Sequence, residues 1–350
     1  MRVLMIVQEL NETSWLRGFI VGWVRALAKH VETLYVLTLE RGEANLPDNV
    51  FVQSMGKERG YNRWQELREF YRGVGRVVDQ VDVIFSHMTP RYTLLAAVYR
   101  KPQMLWFIHP RANLEIRAAL ILSKWVTTAT EDSFPIKSSR VFPLGHGIDT
   151  DFYSPASESI TFEQIPLILA VGRVTPIKKH HVLLEAAALL RDRKQMLRIT
   201  VAGGTAAPGD EAYRAELIRR RDELGLTENQ FNLVGALQPL ELVAMLREAA
   251  IATNLTPPGS FDKAALEAML TGIPIITPNP AFDSLLGEYA GLLRLNMPNH
   301  AAEIADRIQT ILEIPAGERR KIGLDLRERT AAAHGLDNLM QRLVALMEKG

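Results

Sequence analysis

Short apolar runs alternate with longer amphipathic stretches along most of the chain. Val3 to Val7 reads as a strand. Ser14 to Lys29 reads as a helix with Leu16, Phe19, Ile20, Trp23, Val24 and Leu27 on one face. The same reading predicts strands at Thr33–Leu39, Val81–Ser86, Met104–Ile108, Trp125–Ala129 and Arg140–Leu144, with helices between most of them. Repeated β-then-α units favour parallel sheets covered on both faces.

The alternation breaks between Pro155 and Pro166, where SPASESI holds few large apolar residues; this segment reads as an inter-domain linker. It then restarts, with strands at Leu167–Val171, Leu197–Ala202, Phe231–Val234, Ala250–Asn254 and Ile273–Thr277. Helices are expected at Lys178–Arg191, Asp210–Leu224, Pro239–Glu248 and Lys263–Leu270, with Asp210 as an N-cap and Pro239 in a first turn. Two or three more helices fill Ala301 to Lys349. Two α/β domains result, 1–155 and 156–335, followed by a terminal helix over 336–350.

Composition adds exclusions. The 350 residues are long enough for two cores, and 47% hydrophobic with 23% charged residues is a globular composition. The 41 basic and 40 acidic residues give a net charge of +1, so nothing in the total charge points to nucleic acid. Zero cysteines exclude disulfides, thiolate nucleophiles and Cys-ligated zinc. No apolar run approaches the ~20 residues of a membrane span, and MRVLMIVQEL is too short and too soon polar for a signal peptide. A cytoplasmic protein is the expectation.

Ligands of open α/β sheets bind outside the carboxyl ends of the strands. Three segments of the second half satisfy that placement. In VGRVTPIKKHH, Gly172, Arg173 and Lys178 follow a strand and precede a helix, which suits a diphosphate, the alternative being a solvated basic turn. In VAGGTAAPGDE, Gly204 belongs to a post-strand loop whose glycines admit close backbone approach or simply turn the chain. In NLTPPGSFDKAALEAMLTGIPII, a Gly/Pro loop leads into a helix near Asp262. Glu267 lies one turn beyond Lys263; a carboxylate there accepts ribose hydroxyls, or forms an ordinary surface pair with the lysine.

Taken in order, GHGIDTDFYSP, GRVTPIKK and SFDKAALEAMLTGIPII resemble glycosyltransferase family 4, most densely from Ser139 to Asn279. The resemblance implies a GT-B fold, two Rossmann-like doubly wound parallel-sheet domains facing a cleft, with the last helix returning toward the first domain. It implies a retaining, metal-independent, hexosyltransferase-like enzyme that moves a sugar from a nucleoside-diphosphate sugar to a glycan, lipid or small-molecule acceptor. Arg173 and Lys178 match the pair on the donor diphosphate, Glu267 the ribose ligand, and the amides of Phe261, Asp262 and Lys263 the loop facing the sugar. His109, after MLWFI, matches the histidine beside the reacting sugar, and His87, after DVIFS, is a second acceptor-side candidate. The implied catalytic set is His109, Arg173 and Lys178, with no cofactor and no metal.

Two departures stand out. Counting back along the family's Glu-x7-Glu pattern from Glu267 puts Gly259 where the first glutamate belongs, and QELNETSWLRGF replaces a glycine-rich loop after the first strand. An epimerase of the same architecture, or a nucleotide-sugar-binding protein without turnover, are the alternatives. Asp262 is the nearest acid to replace the lost glutamate. Asp149-Thr150-Asp151 spells the metal motif of another glycosyltransferase architecture but reads here as a turn. His180 and His181, at a helix start, are expected at the surface. Trp15, Phe19 and Trp23 admit two readings, peripheral contact with the inner membrane face or burial in the core.

Overall fold

The computed structural model describes all residues except 15–16, 110–111, 157–164, 259–260, 297–299 and 350. The chain divides into two compact units, Met1–Asp149 with Ala333–Gly350, and Thr150–Ala332. The second division falls inside the last turn of helix Ala316–His334.

Unit 1 begins with β1 (Arg2–Leu10), α1 (Phe19–Ala28), β2 (Thr33–Arg41), β3 (Val50–Ser54) and α2 (Arg63–Val77). It continues through β4 (Val83–His87), α3 (Pro90–Ala96), β5 (Gln103–Trp106), α4 (Leu114–Leu122), β6 (Trp125–Thr128) and β7 (Val141–Pro143). The seven strands are parallel in the order β3-β2-β1-β4-β5-β6-β7. Alternate β1 residues serve opposite faces. Val3, Met5 and Val7 join Trp23, Val24 and Leu27 of α1 and Leu339, Met340 and Leu343 of the terminal helix Leu336–Glu348, whereas Leu4 and Ile6 join Phe70 and Val74 of α2.

The helix expected from Ser14 begins at Phe19; Trp15 and Leu16 lie outside the described residues. Trp23 is 1% exposed and its Nε1 donates to the Gly147 carbonyl at 3.0 Å, so of the two readings of that residue burial is correct. Phe19 packs, partly buried, against the same core. Strand β3 has no counterpart in the sequence reading. It is an edge strand with Phe51 55% exposed, and its apolar run VFV is three residues long between polar neighbours.

Unit 2 contains β8 (Leu167–Val171), α5 (His180–Asp192), β9 (Arg198–Ala202), α6 (Asp210–Glu223), β10 (Phe231–Gly235), α7 (Pro239–Glu248), β11 (Ile251–Thr253), α8 (Lys263–Leu270) and β12 (Ile275–Ile276). Helices Ala301–Glu313 and Ala316–His334 follow. The strand order is β10-β9-β8-β11-β12, all parallel, and β8 is almost entirely buried. The chain leaves β8 toward β9 on one side and returns to β11 on the other. That reversal is the topological switch point, where doubly wound sheets hold their ligands. Most of the expected linker, with its SES core, lies outside the described residues. Among the described residues no helix is long and apolar enough to cross a membrane.

Candidate functional site

The loops at the carboxyl edge of unit 2 meet through backbone. The N–H of Gly172 donates to the Ala202 carbonyl at 3.0 Å, that of Gly203 to Gly235 at 2.8 Å, and that of Val174 to Gly204 at 3.0 Å. A Cβ on Gly203 would lie 1.9 Å from the Gly172 oxygen, so only glycine permits this approach. Gly172 itself has φ +138°, and a Cβ there would meet the Lys178 Cε at 3.3 Å. The aliphatic end of Lys178 therefore passes directly over the end of β8.

A 3-10 turn, Pro176–Lys178, precedes α5, and Lys179 adopts a left-handed conformation with φ +52°. This turn sends Lys178 back across the sheet edge. Its ammonium pairs with the Asp262 carboxylate and donates to Thr256 Oγ1 at 3.2 Å. Asp262 Oδ2 also accepts Asn254 Nδ2 at 2.6 Å and Thr256 Oγ1 at 3.0 Å. Its Oδ1 accepts the Ala264 N–H at 3.3 Å, capping α8. Burial alone would raise this carboxyl. The Lys178 charge, with hydrogen bonds from Lys178, Asn254 and Thr256, outweighs burial and holds it below the ordinary carboxylate range. The acid nearest the missing glutamate thus makes four bonds inside its own unit. Gly259 lies outside the described residues.

Arg173, two residues beyond β8, is exposed, and its guanidinium makes no hydrogen bond or ion pair among the described residues. Glu267 is 6% exposed and receives Lys263 Nζ at 2.7 Å, so the pair is not the exposed surface bridge considered from the sequence. Phe261 stacks on Phe282 with ring centroids 4.7 Å apart. Gly172, Arg173, Lys178, Gly204, Asp262 and Glu267 therefore belong to one sheet edge. Asn254 and Thr256 complete the network, and sequence reasoning assigned them no role; Gly203, one of the loop glycines read as admitting close approach, makes that approach to Gly172.

Two local expectations are corrected. His180 is 3% exposed rather than at the surface, because the left-handed turn at Lys179 points its ring inward to the Arg173 carbonyl at 3.2 Å. Burial lowers its pKa to about 4. His181 is exposed and bonds Tyr213. Asp210 is the first helical residue of α6 rather than its cap. Gly209, with φ +95°, occupies the cap position, and Asp210 Oδ2 reaches back to the N–H groups of Ala206 and Ala207 at 3.0 and 2.9 Å.

In unit 1, His109 is exposed beyond β5, its N–H bonded to the Ser133 carbonyl at 3.1 Å. His87 ends β4 next to the β1/β4 switch point but is 1% exposed, stacked on Trp106 at 4.8 Å and edge-on to Trp23 at 4.6 Å. Neither ring nitrogen has a hydrogen-bond partner among the described residues, and burial lowers its pKa to about 3. It is a core residue in this structure, with no open face for an acceptor. Asp149 and Asp151 are exposed, and no cluster of three or more metal-ligating side chains occurs among the described residues.

Residues 165–313 match the family described as "Glycosyl transferases group 1". The D-inositol 3-phosphate glycosyltransferase of Corynebacterium glutamicum is 34% identical over 158 residues, 41% of this chain and 36% of the relative. The Mycobacterium bovis protein of the same name is 26% identical over 219 residues, 59% of this chain and 43% of the relative. The chain thus spans about two fifths of the length of the curated relatives it matches. The Anabaena protein HepE, solved in complex with UDP, superimposes with a TM-score of 0.77 at 17% identity, covering 100% of both chains. Sucrose-phosphate synthase from Thermosynechococcus elongatus gives 0.74 at 16% identity, covering 100% of this chain and 98% of the other. These likenesses show the GT-B fold with its two parallel-sheet α/β units, and the family match bears out the resemblance read from the motifs.

Proposed function

We propose, from the premise that residues 165–313 form a group 1 glycosyltransferase domain, that the chain transfers a sugar from a nucleoside-diphosphate sugar to an acceptor hydroxyl with retention. The observation that carries this reading is the meeting of Arg173, Lys178 and the capped start of α8 around the β8/β11 switch point. Solved relatives of this fold are described in complex with UDP and with UDP-glucose. The diphosphate lies against Arg173 and Lys178, and the ribose against Glu267.

As the bond from the anomeric carbon to the diphosphate oxygen breaks, negative charge grows on the leaving group. Fixed cations and a helix N-terminus stabilise that charge in place and call for no metal. The acceptor oxygen attacks from the same face. Its proton passes to the departing phosphate oxygen, which becomes the nucleoside diphosphate. The family resemblance assigns His109 to the acceptor side of this reaction. The test is NMR of the product formed from an α-linked donor with a panel of acceptors. An α-linked product is expected. A β-linked product would refute retention, and an epimerised donor without transfer would favour an epimerase.

A further inference from the structure

The opposite, amino edge of the unit 1 sheet carries a different chemistry. Three neighbouring parallel strands, β5, β6 and β7, begin there, and the segments leading into them lie side by side. They read Val98-Tyr99-Arg100-Lys101, Ile121-Leu122-Ser123-Lys124 and Lys137-Ser138-Ser139-Arg140. These twelve residues hold five cations and no acid, in a chain whose total charge is +1.

Apolar side chains stand exposed among the cations. Val98 is 67% exposed, Ile121 71% and Leu122 44%. Arg100, Lys124, Lys137 and Arg140 are exposed as well. Arg140 is fixed beside the apolar pair by donating to the Ile121 carbonyl at 2.7 Å. Helix α4 carries Arg117 one turn before Ile121, also exposed. The patch ends at the segment before β4, where Asp79 and Asp82 are exposed.

We propose that this edge docks on an anionic lipid surface. Aliphatic side chains enter the headgroup boundary while neighbouring cations meet lipid phosphates, the chemistry of interfacial protein segments. A second copy of the chain fits poorly, because self-docking would set these cations against one another. The binding site of unit 2 lies at a carboxyl sheet edge, so the proposal does not depend on the proposed reaction.

The experiment is co-sedimentation of the full chain with vesicles of phosphatidylcholine alone and of phosphatidylcholine with phosphatidylglycerol in equal parts. Binding to the mixed vesicles, weakened by salt, and little binding to the neutral ones are expected. Each cation near an anionic surface favours binding about fivefold, so Arg100→Asn with Lys124→Gln lowers partitioning about 25-fold. Asparagine is chosen because it tolerates the left-handed backbone of Arg100, φ 55°. Ile121→Ser lowers it further at unchanged charge. Unaltered melting and nucleotide affinity in both variants show that the fold is intact. No binding, equal binding to both vesicles, or indifference to the charge variant would overturn the proposal. So would a dimer in sedimentation velocity that the same variants dissociate.

Discussion

Lys178 and Asp262 are each 13% exposed at the side chain and neutralise one another. Asp262→Asn keeps a good helix cap but leaves the Lys178 ammonium nearly buried without its counter-charge. Breaking such a pair costs about 3 kcal/mol, so the variant is expected to melt earlier than wild type. A diphosphate bound at Lys178 restores a counter-charge. The rise in melting temperature on adding a nucleoside diphosphate is therefore expected to be larger in the variant than in wild type, which thermal-shift titration reads directly. Equal rises would mean that Lys178 does not face the diphosphate. His87 offers a second residue-level test. His87→Phe preserves an aromatic stack on Trp106 and removes two buried, unpartnered ring nitrogens. The variant is expected to lose less stability than wild type when urea unfolding is repeated at falling pH.

Helix α8 joins the cap at Asp262 to the buried carboxylate of Glu267 one turn further on. Glu267→Gln keeps a hydrogen-bond acceptor but loses the charge, so nucleotide affinity is expected to fall. A 2′-deoxy nucleotide is expected to lose less in the variant than in wild type, since the missing hydroxyl is the partner of the altered group. Calorimetry with both nucleotides decides, and equal losses would reduce Glu267 to a partner of Lys263. At this scale much was legible in the sequence. The apolar runs located β8 residue for residue, and α7 and α8 likewise, because buried parallel strands and capped amphipathic helices carry local signals. Edge strand β3 carried none, being half exposed. Arg173, Lys178 and Glu267 were visible as motif residues. The pairing of Lys178 with Asp262 was not, because it depends on β8 and β11 becoming neighbours across more than seventy residues of chain, and the bonds from Asn254 and Thr256 to Asp262 depend on how one loop folds back on itself. The burial of His180 was hidden for a different reason: it follows from a left-handed lysine that no propensity announces.

For the whole molecule, three buried histidines link stability to pH. Burial lowers His87 to about 3 and His180 and His334 to about 4, with Arg342 adding to the shift at His334. The folded state therefore binds fewer protons than the unfolded chain below the ordinary histidine value. Stability is fully present above pH ~6.5 and falls as pH drops toward 4, by about 1.4 kcal/mol per pH unit for each histidine. Urea midpoints that stay flat between pH 7 and 5 would contradict this. Every role proposed for unit 2 depends on where the nucleoside diphosphate binds. Calorimetric titration with UDP, GDP and ADP, each set against its nucleoside, compares wild type with Arg173→Ala, whose guanidinium is exposed and unpaired among the described residues. One of the diphosphates is expected to bind wild type, and the variant to bind it about tenfold to a hundredfold more weakly while nucleoside affinity changes little. Unchanged diphosphate affinity in Arg173→Ala, or no binding of any of the three by wild type, would contradict it.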